Sequence, residues 1–277
     1  MQGMVVLAAA LLAVFAGSAA AQDGQVFIPN YRDPTVRSEP VDLLSRRIIR
    51  FVTSDDFPPF QSTTNDGTPF GFHVDLARAL CAELKLSCTI QAVAWDELMP
   101  SLQEGRADAL IAGIKPTADI RAVADFTERY MQMPARFVAL ADAPAIDTRP
   151  EALRGRGISV RAGTAHEAFL KTFFPGSDIR SFDTDAGARL ALASGQVELM
   201  FGDGVTQSQW LLTEEGGCCA FRGGPYLESR FFGDGLAIAL RKGDERLRAG
   251  LDHALDVIQA NGTFGNIYLR HFPVGIY

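Results

Sequence analysis

Three short stretches of this 277-residue chain carry residue types suited to holding a small polar molecule. In Gly163-Thr164-Ala165-His166-Glu167, Thr164 and Glu167 have capping-box spacing, so a helix starts there with its free amides facing the preceding loop. Such amides bind a carboxylate without further help, and Arg161 and His166 stand beside them. In Gly202-Asp203-Gly204 a lone carboxylate follows the apolar run from Val197 to Phe201. In Phe57-Pro58-Pro59-Phe60 an aromatic-proline turn follows a short apolar strand. Together they describe capture in a cleft rather than catalysis. The chain has no Gly-x-Ser-x-Gly, His-Glu-x-x-His, phosphate-binding or dinucleotide-binding fingerprint. Its four histidines (His73, His166, His253, His271) show no zinc-ligand spacing to its four cysteines, and no motif calls for a metal or cofactor.

The elements that must position these residues alternate. Ile48–Val52 reads as a strand, Asn65-Asp66-Gly67 as a turn, and Val74, Ala77, Leu80, Cys81 and Leu84 as one helical face. Cys88–Val93 is the next strand, followed by a helix that Asp96 caps and Gly105 closes. Ala109–Ala112 is a buried strand and a helix starts near Ala118. A second set follows: strand Ile158–Val160, a helix from Thr164, strand Ile179–Phe182, helix Ala186–Ala193 and strand Val197–Phe201. Leu236–Leu240 is again strand, and Asp244 caps a long helix that stops at Asn261-Gly262. Alternation of this kind builds parallel-rich sheets, whose ligands bind at the carboxyl ends of the strands.

Composition sets the outer limits. Residues 1–21 have the apolar core and small-residue cleavage site of a secretory signal peptide, so the mature chain is expected to be exported. Residues 22–46 are polar, contain three prolines and read as a poorly ordered N-terminal extension. A net charge of -7 with no Lys/Arg block argues against nucleic acid as a partner. Cys81, near a helix end, and Cys88, entering the next strand, are placed for a disulfide in an exported protein. Adjacent Cys218 and Cys219 allow a vicinal ring, two buried thiols or an intermolecular bridge.

In order, Asp55-Asp56-Phe57-Pro58-Pro59-Phe60, Gly71-Phe72-His73-Val74-Asp75-Leu76, Trp95-Asp96-Glu97-Leu98-Met99-Pro100-Ser101-Leu102, Asp108-Ala109, Asp125-Phe126-Thr127, Gly163-Thr164, Asp203 and Asn261-Gly262-Thr263-Phe264 resemble the periplasmic amino-acid-binding proteins of ABC importers, family 3 of the bacterial extracellular solute-binding proteins. The similarity runs from about Arg47 to Phe272. It implies a two-lobed α/β, type II periplasmic-binding-protein fold, with lobe 1 from 47–135 and 230–277, lobe 2 from 136–229, and two crossing segments as hinge. It also implies a monomer in the periplasm that captures an amino acid or related small polar acid and meets the importer's membrane subunits. By this resemblance Phe57 and Trp95 are apolar walls, Gly113 and Lys115 belong to a lobe-1 loop, Arg161, Thr164 and His166 form the lobe-2 loop, and Asp203 takes the ligand's ammonium.

One departure stands out. The family's carboxylate-gripping arginine follows a threonine by three residues, a place that Ile120 holds here after Thr117, with Arg121 one residue later. One residue turns a helical side chain by about 100°, so Arg121 reaches the ligand only if the helix start is rewound. Arg161, Lys115 and His166 suggest an anionic ligand, whereas Asp55 and Asp56 could frame a cationic one. Two other functions share the fold: an accessory protein of a quinoprotein dehydrogenase, and a cyclohexadienyl dehydratase-like enzyme using His166 or Glu167 as acid.

Overall fold

The computed structural model describes residues 28–30, 38–43 and 45–277. The expected signal peptide lies outside these residues.

The first part of the chain runs β1 (Ile48–Thr53), β2 (Asp56–Phe57), β3 (Gln61–Thr63), β4 (Pro69–Phe70), α1 (Phe72–Leu84), β5 (Ser87–Ala92), α2 (Leu98–Gln103), β6 (Ala109–Leu110), α3 (Ala118–Val123) and β7 (Ala124–Phe126). The middle part runs β8 (Ala135–Leu140), β9 (Gly157–Arg161), α4 (Ala165–Phe173), β10 (Asp178–Phe182), α5 (Asp185–Ala193), β11 (Leu199–Asp203), α6 (Gly204–Leu211), β12 (Cys219–Tyr226) and α7 (Ser229–Phe232). The chain then returns through β13 (Ala239–Arg241), α8 (Glu245–Ala260) and α9 (Thr263–His271).

These strands form two five-stranded mixed sheets, ordered β5-β1-β6-β13-β7 and β10-β9-β11-β8-β12. In the first, β1 lies parallel to β5 and β6, while the returning β13 runs antiparallel to β6 and β7. In the second, β9 lies parallel to β10 and β11, while β8 is antiparallel to β11 and β12. The apolar runs of the central strands bury Phe51, Val52, Leu110 and Ile111 in one lobe, and Ile158, Val160, Met200 and Phe201 in the other. Each side chain so buried contributes about 1.5–3 kcal/mol.

Two extended segments join the lobes, residues 127–134 after β7 and 233–238 before β13. They pair antiparallel: Leu236 N donates to the Met131 carbonyl (2.7 Å), Tyr130 N to Leu236 (3.0 Å) and Thr127 N to Ile238 (3.0 Å). This is the hinge of the two-lobed fold. Ser54 and Phe57 after β1, Gly113 after β6, and Arg161 and Asp203 at the ends of β9 and β11 all lie at carboxyl ends of strands, where ligands of such sheets bind.

Local signals behave differently from one another. Asp244 caps α8 by accepting from Leu247 N (3.2 Å), and Gly262 ends it with φ +82°. Asp96, by contrast, caps nothing. It lies inside a 3-10 turn, Trp95–Glu97, that precedes α2. Within the stretch 22–46, the described residues near its end lie on α8. Leu43 is buried against Gly250, where a Cβ would fall 2.6 Å from the leucine methyl. Arg46 pairs with Asp244 (2.6 Å) and with Asp108 (3.3 Å), and Ser38 bonds to Asp256.

Candidate functional site

A cleft of about 700 Å³ has Phe57 and Pro58 of lobe 1 on one side and Asp203, Thr206, Gln209 and Trp210 of lobe 2 on the other. Phe57 stacks on Phe60 (4.9 Å, 18°) and remains 37% exposed. Gly113, at φ +73°, lets that ring lie flat, because a Cβ there would sit 3.1 Å from it. Beneath them His73 is fully buried in a donor chain. The Tyr130 hydroxyl donates to its Nε2 (2.8 Å), its Nδ1 donates to Gln61 Oε1 (2.6 Å), and Gln61 Nε2 donates to Ser54 Oγ (2.9 Å). Burial holds this imidazole neutral, with its pKa pushed down to about 3.

A smaller hollow of about 140 Å³ opens in lobe 2, lined by Arg161, Thr164, His166, Asp185, Asp203 and Gln207, among others. Thr164 caps α4 by accepting from Glu167 N (3.3 Å). The reciprocal contact falls one residue earlier than the capping-box pattern, since Glu167 accepts from Gly163 N (2.9 Å) rather than from Thr164. Lys171 and Ser181 also bond Glu167, and these donors hold its pKa down at about 2. Asp203 caps α6, with Oδ1 accepting from Thr206 N (2.7 Å) and the Thr206 hydroxyl (2.8 Å). The flanking glycines have distinct causes. A Cβ at Gly202 would meet the Gln207 amide at 2.9 Å, and one at Gly204 the Pro134 carbonyl at 2.8 Å.

The electrostatics of this hollow differ from a tally of its cations. Arg161 pairs with Asp185 at 3.5 Å. His166 stacks on Phe232 (5.1 Å, 23°), and its pKa is lowered by burial; Lys115 pushes the same way, and the carboxylates of Asp203 and Asp185 oppose it. Arg189, on the cleft wall, lies over the Trp210 ring at 5.1 Å. Gln207 is fully buried, and its Nε2 has no hydrogen-bond partner among the described residues.

The structure therefore brings Phe57, Arg161, Thr164, His166 and Asp203 to the cleft or the hollow beside it, while Gly113 lines neither and lies behind the Phe57 ring. Lys115, on the lobe-1 loop, is exposed and lines neither cavity; its side chain passes 3.5–3.9 Å from the position of a Cβ at Gly233. Two more expected residues stand elsewhere. Trp95, expected as a wall, is 55% exposed in its 3-10 turn and lines neither cavity. Arg121, expected at the ligand's carboxylate, turns onto the Phe126 ring (5.5 Å), and its Nε donates to the Pro116 carbonyl (3.1 Å). It lines a separate hollow with Asp125, Lys242, Glu245 and Arg248. The six residues of α3 are not rewound. Thr117 caps the helix through Ile120 N (3.4 Å), so Arg121 stays one position past the inward-facing side.

Sequence reasoning missed Thr206, Gln207 and Trp210. They follow Asp203 by three, four and seven residues, the spacing of one helical face, and that signal could have found them. Cys81 and Cys88 are joined as a disulfide with a Cα–Cα distance of 6.2 Å, and the sulfurs of Cys218 and Cys219 meet across the adjacent pair.

Comparison with known proteins agrees with this architecture. The L-cystine solute receptor of Neisseria gonorrhoeae, in its unliganded open conformation, superimposes with a TM-score of 0.71 at 19% identity, over 83% of this chain and 94% of that one. A putative ABC transporter arginine-binding protein 2 of Escherichia coli is 34% identical over 224 residues, 81% of this chain and 90% of that protein. An L-arginine-binding protein of Pseudomonas aeruginosa is 30% identical over 232 residues, 83% of this chain and 89% of that one. Residues 49–274 match the family model, and the chain belongs to the bacterial extracellular solute-binding proteins, family 3.

Proposed function

We propose that this protein captures a cationic α-amino acid of the L-arginine kind by closure of its two lobes, and delivers it to an ABC importer. The observation that carries this reading is Asp203. One carboxylate oxygen fixes the start of α6, while the other has no partner among the described residues, and the residue lines both the cleft and the hollow. An ammonium group bonded there would gain about 1.5–3 kcal/mol. Phe57 supplies an apolar wall, and Thr164 with the first amides of α4 receives the carboxylate.

The charge of the cleft favours a cationic side chain. Its lining holds Asp203, Glu214 and Glu215 against Arg189 alone, and Arg189 is laid on Trp210. Exposed Asp55 and Asp56 stand beside Phe57. The relatives named as arginine-binding proteins are consistent with this.

A binding role also suits the acids at hand. Glu167 is held ionised by three donors, with a pKa of about 2, and is no general acid at neutral pH. The reading includes export by residues 1–21, a monomer in the periplasm, and the importer's membrane subunits as partners.

A thermal-shift panel of refolded protein tests the proposal. L-arginine, L-lysine and L-histidine at a hundred times their dissociation constants should each add about 2.7 kcal/mol, whereas L-glutamate and non-amino organic acids should add nothing. Stabilisation by L-glutamate alone would reverse the ligand's charge class.

A further inference from the structure

We propose that Lys115, not Arg121, is the lobe-1 cation that holds the ligand's α-carboxylate, against Thr164 and the start of α4. This rests on the amino-acid reading above and adds what makes the site demand a free carboxylate.

The cations around the cleft are engaged one by one. Arg161 pairs with Asp185, and Arg189 covers the Trp210 ring. Arg136 is buried, donating to the carbonyls of Ile276 (2.9 Å) and Gly223 (3.0 Å), and lies over the Phe221 ring. Arg121 faces another hollow, its guanidinium over Phe126 and its Nε on the Pro116 carbonyl. Lys115 alone among these has neither an acceptor nor a ring among the described residues.

Its side chain is exposed, lines neither cavity while the lobes stand apart, and is free to reach across on closure. Lys115 follows β6 in the loop that begins at Gly113, beside Phe57. Its aliphatic carbons pass Gly233, next in the chain to Phe232, and Phe232 carries His166 stacked on its ring. Burial lowers the pKa of His166, two residues past Thr164 in the helix start that receives the carboxylate, and the Lys115 ammonium adds to that lowering. A carboxylate seated there lies between an unpaired cation from lobe 1 and free amides from lobe 2. Asp203 meets the neighbouring ammonium. Both halves of an α-amino acid are then read by different lobes, and closure is coupled to their joint presence.

L-arginine and L-argininamide are the probes, since they differ in whether the carboxylate is present. Calorimetric titration of the wild type should favour L-arginine by at least roughly 10-fold. Lys115→Gln should weaken L-arginine roughly 10- to 100-fold and change the amide by less than about 3-fold, so that the preference collapses. Lys115→Arg should keep the preference, and Arg121→Gln should leave both affinities as in the wild type. A preference that survives Lys115→Gln, or collapses in Arg121→Gln, overturns the proposal.

A ligand-free readout separates this from failure of the amino-acid reading. The charges facing His166 are Asp203, Asp185 and Lys115. Removing Lys115 should raise the His166 pKa in an NMR titration, while Arg121→Gln should leave it in place. An unmoved His166 in Lys115→Gln also overturns the proposal. Wild-type protein that binds no amino acid, with His166 shifting as expected, overturns the function and leaves the position of Lys115 standing.

Discussion

The backbone N–H of Gly204, first residue of α6, donates to the Pro134 carbonyl of the hinge at 2.7 Å. The helix that presents Asp203 is thereby tied to the segment about which the lobes move.

Gly204→Ala should be costly. Its Cβ would fall 2.8 Å from the Pro134 oxygen, a backbone atom that cannot swing away. Expected destabilisation is about 1–3 kcal/mol by denaturant unfolding, with altered ligand affinity. Gly224→Ala, where a Cβ meets nothing within 4 Å, is the control and should stay within about 0.5 kcal/mol.

The His73 chain should break from its hinge end. Tyr130→Phe removes the donor to Nε2 in a fully buried site, and a loss of about 1–3 kcal/mol is expected. A loss of stability with unchanged L-arginine affinity would make the chain purely a core device.

Acid should act first on buried His73 and half-buried His166. The folded pKa of His73 is about 3, below its unfolded value near 6.5, and that of His166 is also lowered. The unfolded state therefore binds more protons below pH 6.5. The stabilisation is complete above that pH and is lost on acidification, at about 1.4 kcal/mol per pH unit for His73 until pH 3. Glu167 enters only below its unfolded pKa, since its own is depressed to about 2. Unfolding free energies between pH 7 and 5 should slope downward, less steeply in His166→Gln. A flat profile contradicts both assignments.

The Cys81–Cys88 bond closes a short loop between α1 and β5. Loop entropy gives it about 2–3 kcal/mol. The Cys81→Ser/Cys88→Ser double variant should lose that amount and keep L-arginine binding, because neither cysteine lines the cleft.

Much of this architecture was legible because it rests on local rules. Thr164 and Asp244 cap their helices, and the strand expected over Val197–Phe201 is present, shifted two residues on to Leu199–Asp203. Other features depend on tertiary contacts that sequence spacing does not encode. Asp96 fails as a cap because a 3-10 turn precedes α2, and Arg121 follows the Phe126 ring instead of the cleft. Arg161 looked like a free cation until Asp185, 24 residues on, was folded beside it. Gln207 is a polar residue in a buried helical face: its Oε1 accepts from Arg189 Nε (3.4 Å), its Nε2 has no partner among the described residues, and the residue lines the hollow.

The most direct test of the central claim is titration calorimetry of the refolded protein with L-arginine, repeated on Asp203→Ala. The account predicts one site with a dissociation constant on the order of 1 µM or tighter, near -8.2 kcal/mol, weakened at least about 100-fold by the substitution. Undiminished affinity in Asp203→Ala, or no heat from L-arginine, L-lysine or L-histidine in the wild type, would contradict it.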